Sequence, residues 1–287
     1  EVHRAELDQI LLDNSRAKGA HVYEQTSVTG TDFSHAEYVC VTTLGKDGES
    51  QWHARFLIDA SGRDTFLANR FKCKQPHPKH ASAAIYGHFE GVERLPGTDA
   101  GNITLFWFDH GWFWLIPLTH GITSVGMVCW PYFLKTRKTD LDTFFQDTVA
   151  SCPPLVRRMQ GARITRPVTA TGNYSYVSEK MHGDRFLMLG DAYAFIDPIF
   201  SSGVLLAMKS AFIGAAAVDA GLRNPAQMAR GLQRFEKSVH KGLKGFTWLI
   251  FRMTTPVIRQ LVMHPRNVLG VENAVIAILA GDVHDNP

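Results

Sequence analysis

Cysteine is scarce in this sequence and it is scattered. The four residues, Cys40, Cys73, Cys129 and Cys152, include no C-x-x-C pair. A disulfide framework and a cysteine zinc site are therefore excluded, and reduced thiols in a cytoplasm are the simple expectation. Charge of one sign is equally lacking. The balance of +3 argues against nucleic acid or an anionic membrane as a partner. No apolar run reads as approaching the roughly 18 residues that cross a bilayer. Residues 1–20 are charged and helix-patterned rather than a signal peptide. Internal repeats and low-complexity segments are absent. What remains is a chain of 287 residues, 45% of them hydrophobic, long enough for two domains or for one core with a large insertion.

The most informative stretch runs from Asp184 to Ala207. An apolar strand, Phe186 to Leu189, ends at Gly190-Asp191, where a loop leaves the end of a sheet. Pro198 breaks any helix begun at Ala192. Ser201-Ser202-Gly203 then read as an N-terminal cap for a helix from about Val204 to Leu222, closed by Asn224-Pro225. Strand, polar loop and helix start bring backbone N–H groups and a helix dipole to face an anion or a cofactor ring. An ordinary connection would have the same outline. A second strand, Phe56 to Gly62, ends in small residues, Ala60-Ser61-Gly62, that let a backbone approach a phosphate or ribose. A plain tight turn is the alternative there.

Elsewhere the pattern predicts an amphipathic helix over residues 2–18, with Val2, Leu7, Ile10, Leu11 and Leu12 as its stripe and Gly19 as its C-cap. A strand at His21–Glu24 follows, then a short segment at Ser27-Val28. A hairpin pairs Tyr38–Leu44 with Ser50–Arg55 around Gly45-Lys46-Asp47-Gly48, and a short helix covers Phe66–Phe71. Residues 77–130 are rich in aromatic and β-branched side chains and predict four to six antiparallel strands. Within them lies Trp112-Phe113-Trp114-Leu115-Ile116-Pro117. Alternation puts Trp112, Trp114 and Ile116 on one face, which would equally suit a Trp pair in a sheet core. A helix over Thr139–Arg158, interrupted at Cys152-Pro153-Pro154, precedes strand character over Ala162–Tyr176. Separate helices are expected over 226–244, 246–262 and 267–280. Lys237, Lys241, Lys244, Arg252, Arg259 and Arg266 make this end basic, as a solvated face or as a dock for an acidic partner.

The Gly190-Asp191 stretch resembles the second flavin-binding motif of flavin-dependent monooxygenases. Its continuation D-P-I-F-S-S-G-V and the W-x-W-x-I-P tract are similar to flavin-dependent halogenases within that superfamily. The resemblance covers nearly the whole chain, as roughly the C-terminal two-thirds of the family. It implies an α/β fold of the p-hydroxybenzoate hydroxylase type. Residues 1–75 and 171–235 would form an incomplete FAD-binding half, 76–170 an antiparallel substrate-binding domain, and 236–287 a C-terminal helical segment.

The same resemblance implies roles for particular residues. Asp191 would hold the ribityl chain, and Arg4 would lie near the flavin, although a solvated helix-start cation accounts for Arg4 equally well. The backbone at Val28 would face the adenine, and Ala60, Ser61 and Gly62 would border the ADP half. Pro198, Ser202, Gly203 and Val204 would line the ring, with Ser202 and Gly203 seating the halide. Trp112, Trp114, Ile116 and Pro117 form the family signature.

The implied reaction uses FADH2 from a separate reductase, O2, and chloride or bromide to halogenate an aromatic substrate. Phe200 stands where tryptophan halogenases carry a Glu, so a phenol or pyrrole, free or tethered to an acyl or peptidyl carrier protein, fits better than tryptophan. No G-x-G-x-x-G follows a strand in this sequence. The resemblance places that motif and the family's catalytic lysine upstream, so this stretch alone is expected to hold FAD poorly and no catalytic residue is assigned. A flavin-dependent hydroxylase and a non-catalytic flavoprotein remnant are the alternative readings.

Overall fold

A computed structural model describes residues 4–77, 82–253, 260 and 271–281. The chain divides into two compact units, residues 1–24 with 81–173, and residues 25–80 with 174–287.

The first unit is built on an antiparallel sheet that buries one face. Strands β6 (Ser82–Glu90), β7 (Thr104–Phe108), β8 (Gly111–Pro117) and β9 (Ile122–Cys129) supply the four strands found within 77–130, and β10 (Arg163–Tyr174) lies on the far side of β6. Alternation sends Phe113 and Leu115 of β8 into a core with Ile85, Val125 and Met127, where all five are fully buried. Each such side chain contributes about 1.5–3 kcal/mol relative to exposure. Helix α4 (Leu141–Ala150) closes that core with Phe144, Phe145 and Val149. Its N-cap is Asp140, whose carboxylate accepts the Thr143 N–H at 2.9 Å. Pro153 and Pro154 then open the separate short helix α5 (Pro153–Arg158).

Helix α1 (Arg4–Ala17) ends in a glycine C-cap. Gly19 has φ +92, and the Ala20 N–H reaches the Ser15 carbonyl. The expected apolar stripe is not covered: no residue of α1 is buried, and Ile10 and Leu11 are exposed. The expected strand at His21–Glu24 does not form. The segment is irregular and turns at Gln25 in the left-handed region, with the Arg16 guanidinium donating to Glu24.

The second unit holds the hairpin β2 (Val39–Gly45) and β3 (Gly48–Ala54), joined through Lys46-Asp47, with β1 (Ser27–Asp32) on the other side of β2. A small sheet orders β12 (His182–Gly183), β13 (Phe186–Met188) and β4 (Leu57–Asp59), and another orders β14 (Ala194–Phe195), β11 (Tyr176–Ser178) and β5 (Lys74–Pro76). Helices α6 (Gly203–Arg223) and α7 (Met228–Met253) pack together over the first of these. Gly214 of α6 lies against Leu187, Leu189 and Phe235, so the small residue is what lets the helix seat on the strand. Together with α2 (Phe66–Arg70), they bury Leu67, Leu187, Met188, Val218 and Phe235.

Two expectations about these helices change. Helix α7 runs unbroken through Gly245, because Phe235, Phe246, Leu249 and Ile250 are buried along one face and their burial outweighs a single glycine. Helix α6, at 21 residues, is apolar enough by length and composition to cross a bilayer, although it carries Lys209 and Asp219 and packs Ala217 and Val218 into the core. The last described helix is α8 (Val271–Leu279). The expected helices over 246–262 and 267–280 otherwise extend outside the described residues, as do Arg259 and Arg266.

Candidate functional site

Two strands that run side by side create the site. β4 and β13 pair in parallel, Leu57 against Phe186 through Asp59 against Met188, and the Leu189 N–H extends the ladder to the Asp59 carbonyl at 2.9 Å. Parallel strands end together, so the turns leaving them, Gly62–Asp64 and Gly190–Ala192, abut. A crevice at the carboxyl ends of parallel strands is where open α/β sheets take their ligands. Gly62 and Gly190, 128 positions apart in the sequence, thus lie on neighbouring turns.

The first wall is held by an acid for which the sequence pattern supplies no role. Asp59 is 5% exposed, and its carboxylate accepts the Ser61 N–H at 2.9 Å and the Leu67 N–H at 2.8 Å. Ser61 Oγ accepts the Phe66 N–H at 2.9 Å. Strand end, turn and the start of α2 are therefore one hydrogen-bonded knot. Ala60, Ser61 and Gly62 lie on it, and Gly62 has φ +62 with nothing near the position of a Cβ. The available signal was the Asp that opens D-A-S-G, a buried acid at a strand end.

The second wall turns at Gly190, where φ is +51 and a Cβ would stand 2.8 Å from the Ala207 Cβ of α6. The Gly190 N–H is taken by Ser210 Oγ at 3.0 Å, which ties the turn to that helix. Asp191 is half-buried, and its carbonyl accepts the Tyr176 hydroxyl at 2.8 Å. Burial, and then the Asp191 charge, push the Tyr176 phenol well above its usual range, so it stays a donor. Tyr193 is anchored from α7, with its hydroxyl 2.9 Å from His240 Nε2. Burial, reinforced by Glu236, pushes its phenol up to about 12.

The chain then approaches α6 through a 3-10 turn, Pro198–Phe200, whose first N–H, that of Ile199, bonds the Asp197 carboxylate at 3.2 Å. Pro198 therefore opens a turn rather than ending a helix. Ser201 follows with φ 51. Ser202 occupies the N-cap position of α6, but it has right-handed helical backbone angles and its side chain makes no capping bond, contrary to the expected serine cap. A serine that already has helical angles points its hydroxyl away from the following N–H groups. Ser202 is buried, Gly203 has open space where a Cβ would stand, and Val204 is exposed.

The structure brings Ala60, Ser61, Gly62 and Asp191 together, with Pro198, Ser202, Gly203 and Val204 following in the same unit. Val28 also belongs to that unit, exposed on β1 beside a register shift between Val28 and Gly30. Arg4 belongs to the first unit. Its guanidinium donates to both oxygens of Asp8, at 3.2 and 3.1 Å. The W-x-W-x-I-P tract is β8 of the same unit. Trp112 and Trp114 share a face with ring centroids 5.9 Å apart, while Phe113 and Leu115 take the opposite, core face. Trp114 donates to Ser124 Oγ at 3.1 Å and lies across Gly126, where a Cβ would stand 2.3 Å from the ring.

Comparison with known proteins agrees with this geometry. A sequence profile described as tryptophan halogenase matches residues 1–254. A 1H-pyrrole-2-carbonyl-(peptidyl-carrier protein) chlorinase of Pseudomonas fluorescens is 29% identical over 293 residues, covering 99% of this chain and 64% of that protein. A tryptophan 2-halogenase of Chondromyces crocatus is 30% identical, covering 82% of this chain and 46% of its own. The chain thus spans less than two-thirds of the length of these relatives. Among solved structures, the myxobacterial chondrochloren halogenase CndH superposes with a TM-score of 0.82 at 29% identity, covering 100% of this chain and 68% of its own. The flavin-dependent halogenase CmlS gives 0.77 at 30%, covering 85% and 46%. Parallel strands ending at Gly62 and Gly190, the Asp191 turn, the W-x-W-x-I-P strand and these matches converge on one statement: the chain belongs to the tryptophan halogenase family of flavin-dependent halogenases, with their p-hydroxybenzoate-hydroxylase-like flavin-binding fold.

Proposed function

We propose that this chain is part of a flavin-dependent halogenase that uses FADH2 from a separate reductase, O2, and chloride or bromide to halogenate an electron-rich phenolic or pyrrolic ring. The observation that carries this is the pair of abutting turns at the ends of β4 and β13, one of them presenting Asp191. The residues present fit a flavin dinucleotide. Gly62 carries no side chain and has open space where a Cβ would stand, and the start of α6 at Gly203 is equally open. FAD, when bound, would supply the redox chemistry that activates oxygen.

In this reading the Asp191 carboxylate accepts hydrogen bonds from the ribityl hydroxyls, and residues 60–62 with the backbone at Val28 border the adenylate side. Pro198 and Val204 line the ring. Ser202 and Gly203 seat the halide with backbone N–H groups and the positive end of the α6 dipole, so no side-chain charge is needed in a site shielded from water. Residues 1–75 with 171–235 serve the cofactor and 76–170 the substrate, whose ring packs in the unit that carries Trp112, Trp114, Ile116 and Pro117. The substrate is carrier-bound in the pyrrole chlorinase named above, and a carrier-tethered pyrrole or phenol is the class proposed here. Phe200, in the turn before α6, stands where the resemblance expects a Glu in enzymes acting on tryptophan. A cytoplasmic setting suits the four free thiols.

The test is the product. The protein with its full reading frame, given reduced flavin, O2, halide and a phenolic or pyrrolic substrate, should yield a mass increase of one halogen for hydrogen. Addition of oxygen alone at every halide concentration would make it a hydroxylase.

A further inference from the structure

Helix α7 concentrates charge that the rest of the chain does not have. Its 26 residues carry six cations and one acid, Glu236, whereas the whole chain balances at +3, so everything outside α7 is on balance negative. The cations share a face. Arg230, Arg234, Lys237, Lys241 and Lys244 recur at alternating spacings of four and three residues, which stacks them along one side of a helix, and Arg252 lies about two turns further on. All six are exposed. Glu236 is turned to His182, 3.2 Å away, and Asp219 of α6 is held by Arg223 at 3.1 Å. Among the described residues no carboxylate pairs with Arg230, Arg234, Lys237 or Lys244.

Beside this ridge runs a groove of about 460 Å³ between α6 and α7. Ile213, Ala216, Ala217 and Ala220 of α6 line it, with Arg230 and Arg234 on its α7 side. Small apolar side chains on one wall and two guanidinium groups on the other suit an amphipathic helix that lays apolar residues in the groove and carboxylates towards the ridge. Other polyanions fit less well. A lipid surface needs an apolar face to insert, and that of α7 lies in the core, where Leu232, Phe235, Phe246 and Leu249 are buried. Single-stranded nucleic acid needs aromatic platforms, and the aromatic on the ridge, Trp248, lies under the Arg252 guanidinium at 4.4 Å. Duplex nucleic acid would use the cations and leave the apolar groove unfilled.

We infer that the α7 ridge and its groove dock the carrier protein that brings the substrate, through an acidic helix whose carboxylates meet Arg230, Arg234 and Lys237 and whose apolar side chains fill the groove. The inference rests on the carrier-tethered reading above and adds to it the surface that selects the carrier. His240 of the same helix lies 2.9 Å from the Tyr193 hydroxyl, so the docking helix is tied to the turn after β13. The carrier is thus held on an element that braces the crevice. Exposed charges of this kind act mainly on the rate of encounter and on which partner is accepted.

The experiment follows halogenation by the protein with its full reading frame. The substrates are pyrrole-2-carbonyl and 4-hydroxybenzoyl groups, each on a holo peptidyl carrier protein and on a short soluble thioester. Wild type is compared with a charge-reversed double variant, Arg234→Glu with Lys237→Glu, and a charge-keeping one, Arg234→Lys with Lys237→Arg. Reversal should raise KM for the carrier-bound substrate about tenfold or more, with its kcat and the kinetics of the short thioester unchanged. The charge-keeping variant should behave as wild type. Added salt should raise the carrier KM of wild type more than that of the reversed variant. Equal loss with carrier and short thioester would make the ridge a support of the fold, and an unchanged carrier KM would make it a solvated face; either result overturns the inference. So would binding of wild type to duplex DNA or to phosphatidylserine vesicles that is lost on reversal while carrier turnover persists. Wild type that turns over no carrier-bound substrate refutes the carrier-tethered reading itself, and this inference with it.

Discussion

Asp59 offers the sharpest test of how the site is built. The Asp59→Ala variant removes a carboxylate that is 5% exposed and leaves the Ser61 and Leu67 N–H groups without their acceptors. A hydrogen bond to a charged group contributes about 1.5–3 kcal/mol, so two of them place the loss at about 3–5 kcal/mol, discounted for partial rescue by water. That is a large part of the roughly 5–15 kcal/mol that stabilises an ordinary domain. Asp59→Asn keeps one acceptor oxygen and should lose about half as much. Ser61→Ala removes only the exposed bond to Phe66 and should cost about 0.5–1.5 kcal/mol. Urea unfolding followed by far-UV circular dichroism reads all three. The midpoint should fall in the order Asp59→Ala, Asp59→Asn, Ser61→Ala, with an unchanged slope. If Asp59→Ala unfolds within 1 kcal/mol of wild type at the same slope, taking that as about the error of the method, the knot does not hold the turn and its role in shaping the crevice is refuted.

Three further outcomes follow from other parts of the molecule. Asp191→Ala should weaken FAD binding about tenfold or more, the equivalent of one charge-assisted contact, in a flavin titration; an unchanged dissociation constant would leave Asp191 a turn residue. A Cβ at Gly203 meets nothing within 4 Å and needs no unusual backbone angle, so in Gly203→Val the fold and flavin binding should persist while halogenation falls. Equal loss of flavin and of halogenation would place that residue on the cofactor rather than on the halide. Cys129 is fully buried and its thiol is pushed up to about 11 by desolvation, so at pH 8 it is held as the unreactive thiol. Iodoacetamide should label the partly exposed Cys40 well before Cys129, as read by peptide mass spectrometry; the reverse order would contradict this packing.

Elements whose signals are local were legible in the sequence. The Gly45-Lys46-Asp47-Gly48 turn sets the β2–β3 register, and alternation along residues 112–116 sorts Trp112 and Trp114 from Phe113 and Leu115. Elements that depend on tertiary balance were less so. Gly245 looked like a helix end because its propensity is poor, and the buried side of α7, set by Phe235, Phe246 and Leu249, carries the helix through it. The short His21–Glu24 run had alternation but no partner strand among the described residues, and four residues without a ladder do not make a strand. At the site, Gly190 and Gly62 were visible as small residues after apolar runs. Their adjacency was not, because it follows from a parallel pairing between segments far apart in the chain, and periodicity does not report which strands pair. The role of Asp59 was hidden for a related reason: an acid at a strand end is ordinary until the fold shows what it touches.

The departure at Ser202 bears on the proposed halide seat. A serine cap of the expected kind would have placed its Oγ on an N–H of the first turn of α6, so the side chain would occupy one of the donors assigned to the anion. With Ser202 already in helical angles and making no such bond, the first-turn N–H groups of Gly203, Val204 and Leu205 have neither an intrahelical acceptor nor a serine cap. The left-handed Ser201 and the Asp197-capped turn before it let the chain enter the helix this way: Asp197 satisfies the Ile199 N–H, and Ser201 bonds back to the Pro198 carbonyl. Two of the upstream backbone donors are thus used within the turn. Gly203 leaves open space where a Cβ would stand. A single-atom anion needs that combination of unused N–H groups, a positive dipole end and no overhanging Cβ. If Ser202 and Gly203 seat the halide as proposed, D-P-I-F-S-S-G-V divides the work: Asp197 and Ser201 make the hydrogen bonds of the turn, and the helix start is left for the anion.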